Sequence, residues 1–300
     1  MGNQFNSVKS KNNSVILFVC LILMMFLGCD IDRPVKDKSK LLAMDYRLFQ
    51  GTEAWLLAKA AYYKDTDSIK KILAKNPNVV NIQDSIYGNT VLMLTIMRQE
   101  FDSFNALIDN GANINYYNKF GESPLIEACS YRQYDLKFAQ RLVEEGACVN
   151  DTSQSLPYEQ QSPLMVAARC GNMPIVKYLL TEGANINYRS NIGSTVLGMA
   201  MRIKRFEIAL LLLENGADFS SPIYNTVDKR GKLTIPETIL GSLRRAMPEP
   251  FTSDVKYKRK IIDFLKQRGL DYDTVPIPNY IIKREKERYP STWEEYIRNY

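Results

Sequence analysis

The chain contains no histidine, which removes at once every catalytic triad and every metal site that depends on imidazole. A serine nucleophile activated by lysine needs a hydroxyl one helical turn before an amine. That S-x-x-K spacing occurs twice, at Ser68 with Lys71 and at Ser253 with Lys256. Neither copy is accompanied by the S-D-N or K-T-G triplets that complete such an acyl-transfer site, and so short a pattern arises by chance in a chain of 300 residues. Two adjacent carboxylates, Glu144 and Glu145, stand directly before a glycine and read as solvent-facing. Of the five cysteines, Cys20 and Cys29 lie near the start, and Cys129, Cys148 and Cys170 form no C-x-x-C pair. Without histidine these three predict no metal site. Cys129 reads as a small buried hydrophobe, and one disulfide among the three stays open. The residues thus predict no catalysis, no metal and no cofactor, which leaves recognition.

The elements that would position a recognition surface are legible as a repeat. GANINY stands at 111–116 and again at 183–188, and the match is wider than six letters. The 26 residues from Thr90 to Asn115 align without a gap on those from Ser162 to Asn187. Further copies run from Ser123 to Asn150, from Thr195 to Phe219 and, more weakly, from Leu56 to Asn81. The starts at 56, 90, 123, 162 and 195 give steps of 34, 33, 39 and 33. The long step holds two residues inserted near Tyr131 to Tyr134 and four between Asp151 and Gln161.

Each copy reads as two helices and a turn. Thr90, Ser123, Ser162 and Thr195 are hydroxyl N-caps, and Pro124 and Pro163 occupy the first helical position. The first helix is short, and Ala128, Ala167, Ala168 and Ala200 let a neighbouring helix approach closely. The second carries an apolar stripe, as in Ile175, Val176, Tyr178, Leu179 and Leu180. Gly111, Gly146, Gly183 and Gly216 fall just past its end, where the backbone needs a positive φ. A unit this small cannot bury its apolar face alone, so the copies must stack side by side into a solenoid.

From about residue 54 to 219 the chain resembles the ankyrin repeat family, whose unit opens T-P-L-H-x-A-A and closes G-A-D-V-N. The resemblance implies an all-α ankyrin-repeat solenoid of about five to six helix-turn-helix units with projecting β-turns or hairpins. One departure is consistent: the family's histidine is replaced by Met93, Ile126, Met165 and Gly198, so the polar network it supports between turns must be replaced or absent. Lys70 and Lys71 mark the first unit as a cap with one wet face. Residues 233–272 are expected to form a degenerate sixth unit with an insertion around MPEPFTSD, so the solenoid should span 53–272. A tail follows at 273–300, where Pro276 and Pro278 precede a charged stretch expected to be a short helix.

The N-terminus carries a separate signal. Lys9 and Lys11 precede an uncharged run from Val15 to Gly28, followed by Cys29. Such a run is short of the roughly 20 residues of a membrane span but suits a signal-peptide core. The stretch resembles bacterial lipoprotein signals, in which the cysteine is lipidated and becomes the new N-terminus. That implies a signal peptide over 1–28, lipidation at Cys29, and a lipidated N-terminus and linker over 29–52. The lipid bilayer would then be one partner, at the cell membrane or the outer membrane, facing the periplasm or exterior. Removing 1–28 lowers the net charge from +6 to +4. So mild an excess argues for a solvated surface rather than nucleic-acid binding.

In proteins resembling this one, partners lie along the concave groove formed by first helices and projecting turns. By register the residues offered to a protein partner are Tyr116, Tyr117, Lys119 and Phe120 on one turn, with Tyr188, Arg189, Asn191 and Ile192 on another. Arg98, Tyr131, Arg169 and Arg202 lie at the groove side of the helix ends, and Tyr158 sits in the lengthened loop. Tyrosine and arginine dominate this set, as they do binding hot spots. The expected function is a membrane-tethered scaffold for protein–protein interaction outside the cytoplasm. The alternative is an immunity-type inhibitor that neutralises a toxin or enzyme at the envelope.

Overall fold

The computed structural model describes residues 33–154, 159–227, 233–246 and 252–299. The expected signal peptide, Cys29 and the loop tip with Tyr158 lie outside the described residues. Five helix pairs run along the chain: α1 (Trp55–Tyr62) with α2 (Thr66–Lys75), α3 (Val91–Met97) with α4 (Phe101–Asp109), α5 (Pro124–Ala128) with α6 (Leu136–Glu144), α7 (Pro163–Cys170) with α8 (Met173–Thr181), and α9 (Val196–Arg202) with α10 (Phe206–Glu214). A two-stranded hairpin, β1 (Tyr224–Val227) antiparallel to β2 (Leu233–Glu237), then leads into a sixth pair, α11 (Ile239–Arg245) and α12 (Ser253–Lys266). Each first helix packs on the first helix of the next unit, and one connected apolar interior runs from Tyr46 to Tyr272.

The start and stop of each unit follow from local chemistry. Thr90, Ser123, Ser162, Thr195 and also Thr238 accept the N–H three residues on, closing an orphan donor at the helix N-terminus. At the other end Gly111, Gly146, Gly183 and Gly216 have φ between 79° and 94°. The following Ala112, Ala147, Ala184 and Ala217 donate back to Leu107, Leu142, Leu179 and Leu212 at 2.9–3.0 Å. Gly269, with Leu270 donating to the Leu265 carbonyl, does the same in the sixth unit.

The missing histidine is made good in two ways. Met93, Ile126 and Met165 are buried apolar plugs, and the turns are held by acid and amide side chains instead. Asp84 accepts the N–H groups of Ile86, Tyr87 and Asn89 at 2.7–2.8 Å. Asn118 accepts those of Phe120 and Glu122 and donates to Asn89 Oδ1 at 3.1 Å. At Gly198 a Cβ would stand 1.9 Å from the Ile223 carbonyl. That carbonyl accepts both Thr195 N–H and Thr195 Oγ1, so glycine is needed there for close approach rather than for an unusual φ.

Two expectations change at the ends. The expected linker over 29–52 is, in its described part, the solenoid's first lid. A 3₁₀ turn, Tyr46–Phe49, buries Tyr46, Leu48 and Phe49, and the Tyr46 ring stacks on Trp55 and lies 4.2 Å from that of Tyr62. This covers the unit that lacks a neighbour, as an end repeat requires, while Lys70 and Lys71 are exposed on its far side. The tail holds two helices rather than one, α13 (Asn279–Arg288) and α14 (Trp293–Asn299). They enclose a small cluster of their own around Ile281, with Ile277, Tyr289 and Ile297.

Candidate functional site

Many of the turn residues expected to be free for a partner are occupied by neighbouring turns. Tyr117 Oη donates to Asp151 Oδ1 at 2.6 Å, and burial together with that carboxylate pushes its phenol up to about 12. Lys119 is held by its N–H to the Tyr87 carbonyl and by its ammonium to that of Ser85. Tyr188 Oη donates to the Gln160 carbonyl at 3.0 Å, and Asn191 Oδ1 accepts Gln160 N–H at 2.8 Å. Arg189 clamps the carbonyls of Gly193 and Pro222 at 2.8 and 2.9 Å. Arg202 reaches Glu159 at 3.5 Å, and Arg98 pairs with Glu100 over the Tyr62 ring. All but Arg98 tie a turn or helix end to a neighbouring turn or loop. Tyr116 and Ile192 remain exposed.

Three of the predicted residues, Phe120, Tyr131 and Arg169, converge on one concave hollow of about 500 Å³. Its far wall is a segment that sequence reasoning assigned to a linker. Leu41 and Ala43 are fastened by their carbonyls to Tyr87 Oη at 2.7 Å and Asn89 Nδ2 at 3.4 Å, which sets Leu42 and Met44 against the hollow. The near wall is the insertion of the third unit, where the rings of Tyr131 and Tyr134 lie 4.8 Å apart. Asn172, capping α8, donates to the carbonyls of Tyr131 and Tyr134 at 3.1 and 3.0 Å, so the insertion is held in place. Leu42, Phe120 and Tyr131 are 71%, 52% and 55% exposed, a run of apolar surface that calls for a covering partner.

The floor of the hollow carries Glu127, on α5 and only 5% exposed. Burial, reinforced by the charge of Glu122, raises its carboxyl to about 7. Its one hydrogen-bond partner among the described residues is Tyr134, whose hydroxyl lies 3.4 Å from Oε1 and 3.5 Å from the Met97 carbonyl. One proton cannot serve both acceptors well. Burial and Glu127 push the Tyr134 phenol well above its ordinary range. The S-x-x-K residues form no comparable site: Ser68 Oγ donates to the N-cap Asp65 at 2.7 Å and Lys71 is exposed. Cys129, Cys148 and Cys170 are free thiols, and no cluster of three or more metal-ligating side chains occurs among the described residues.

A row of stacked helix pairs with a polar and aromatic concave side defines a repeat solenoid. The family profile described as ankyrin repeats (3 copies) matches residues 57–153 and 136–222, and the chain belongs to the ankyrin repeat family. Similar proteins include the transient receptor potential cation channel subfamily A member 1 homolog of Caenorhabditis elegans, 28% identical over 54% of this chain and 13% of its own length. An ankyrin repeat-containing protein of Treponema pallidum (strain Nichols) is 31% identical over 41% of this chain and 40% of its own. Human ankyrin repeat and SOCS box protein 11 is 33% identical over 40% and 35%. The chain thus spans less than half the length of these relatives.

Proposed function

We propose that the protein is tethered to a membrane by lipid on Cys29 and holds a protein partner outside the cytoplasm, in the hollow walled by Leu42, Met44, Phe120 and Tyr131. The observation that carries the binding half is the convergence of these exposed apolar side chains on one concavity beside a carboxylate with a single long hydrogen bond. The tether rests on the sequence alone, on the uncharged run from Val15 to Gly28 followed by Cys29. Several acyl chains there, at about 0.8 kcal/mol per buried methylene, would make attachment lasting. An immunity-type inhibitor would use the same face with an enzyme as its partner.

The test is crosslinking in the producing cells followed by purification of the full-length chain and identification of what comes with it. A specific partner lost in the double variant Phe120→Ala, Tyr131→Ala is expected, and the same partner retained would move the site elsewhere. Labelling with radioactive palmitate, absent in Cys29→Ala, checks the tether independently.

A further inference from the structure

Resting on that binding reading, we infer that the hollow takes an arginine side chain of the partner, its guanidinium paired with Glu127 and its stem laid along the rings of Phe120 and Tyr131. The inference begins with an imbalance of charge. Glu127 is nearly fully buried and opens onto the hollow, yet no lysine or arginine among the described residues forms an ion pair with it. Its nearest charged influence is a second carboxylate, Glu122, on the same lining, and this repels.

The one cation on the lining, Arg169, is exposed, donates its Nε to Gln161 at 3.1 Å, and does not figure among the groups that shift Glu127. A buried carboxylate left this way is costly until a cation completes it. Among the described residues no cation reaches it and its hydrogen-bond partner is the hydroxyl that Tyr134 shares with the Met97 carbonyl, so the ionised form of Glu127 takes its cation from outside.

The walls choose arginine over lysine. Phe120 and Tyr131 present exposed aromatic surface on the same lining as the carboxylate. A planar guanidinium stacks on such faces while offering two parallel N–H groups to a carboxylate, whereas an ammonium is a hydrated point charge without that fork. Leu42 and Met44 on the opposite wall suit apolar residues flanking the arginine in an extended segment.

The test uses the full-length chain in detergent micelles on an array of heptapeptides with random flanks, carrying arginine, lysine, citrulline, leucine or glutamate at the centre. Arginine peptides should be retained about tenfold or more over citrulline peptides. In Glu127→Gln that preference should shrink to about twofold or less. Phe120→Ala, an exposed change that leaves the interior untouched, should weaken arginine binding without altering the melting temperature.

Arginine and citrulline bound alike, lysine bound as well as arginine, or a preference that survives Glu127→Gln would each overturn the inference. A concentration-dependent dimer abolished by Tyr131→Ala would assign the hollow to a second copy and overturn it too. If peptides show no arginine preference while the crosslinked partner still depends on Phe120 and Tyr131, the inference fails and the broader binding reading stands.

Discussion

The side-chain oxygen of Asn187 accepts the backbone N–H of Asp218 at 2.8 Å, across the boundary between two repeats. Asn81 does the same for Asn113 at 2.8 Å and Asn150 for Asn185 at 2.7 Å. The earlier acid or amide of each close turns back on its own turn: Asn113, Asn185 and Asp218 accept the N–H two residues on. In the GANIN copy at 183–187 the two asparagines therefore have separate duties, Asn185 inside the turn and Asn187 between units, and in the copy at 111–115 Asn113 has the first of these duties. Asn187→Ala should lower stability by about 1 kcal/mol, read as a shift in the urea midpoint. Because solenoid stability is a sum of interface contributions, Asn150→Ala with Asn187→Ala should cost about the sum of the two and broaden the transition.

Glycine is required at two kinds of place here, and alanine separates them. Gly183 has φ +79° with open space around it, so Gly183→Ala should cost only the strain of a left-handed residue, about 1–2 kcal/mol. Gly198 is ordinary helix, but its missing Cβ is where the Ile223 carbonyl sits. Gly198→Ala should cost about 3 kcal/mol and loosen the stem of the β1–β2 hairpin. Chemical denaturation ranks the pair, and amide exchange at Thr195 reports the loosening.

The segment before the first helix is structural. Tyr46→Ala should destabilise the chain by about 3 kcal/mol through loss of a fully packed ring, and Lys36→Ala, exposed nearby, should do almost nothing. Thermal unfolding of the two variants makes the comparison.

Glu127 gives the protein a pH dependence of definite sign. Its carboxyl is held near 7 in the folded state, first by burial and then by Glu122, against about 4.3 when unfolded. The folded state therefore binds the extra proton between those values, and stability should fall as pH rises from about 4.5 through 7. The loss above pH 7 is on the order of 3 kcal/mol. Glu127→Gln keeps the shape and removes the charge, so it should flatten that slope and raise the melting temperature at pH 8. Melting curves at pH 5, 6, 7 and 8 for both proteins measure it.

Much of the scaffold was readable because its signals are short-range. A hydroxyl three residues before the amide it caps, a proline in the first turn, and a glycine directly after an apolar stripe each act within one helical turn. Lys64, Gln99 and Lys204, with φ near 60°, were not readable, because nothing local marks a lysine or glutamine for a left-handed turn. Nor was the fate of Tyr117, Tyr188, Arg189 and Asn191 readable. Their partners Asp151, Gln160 and Pro222 lie about 30 residues away, in the neighbouring turn.

The period near 33 and the absence of histidine, both properties of the chain as written, were enough to determine a stacked helix-pair architecture and to turn attention from catalysis to recognition. Which side chains are spent on the stack and which face outward was decided by the tertiary structure. Leu42, Glu127 and Arg169 are far apart in sequence and line one hollow only in the folded chain, where the segment before the first helix is tied to the turn that carries Tyr87 and Asn89. Burial of Glu127 is a property of that meeting, because desolvation depends on everything packed around a group and not on its neighbours along the chain.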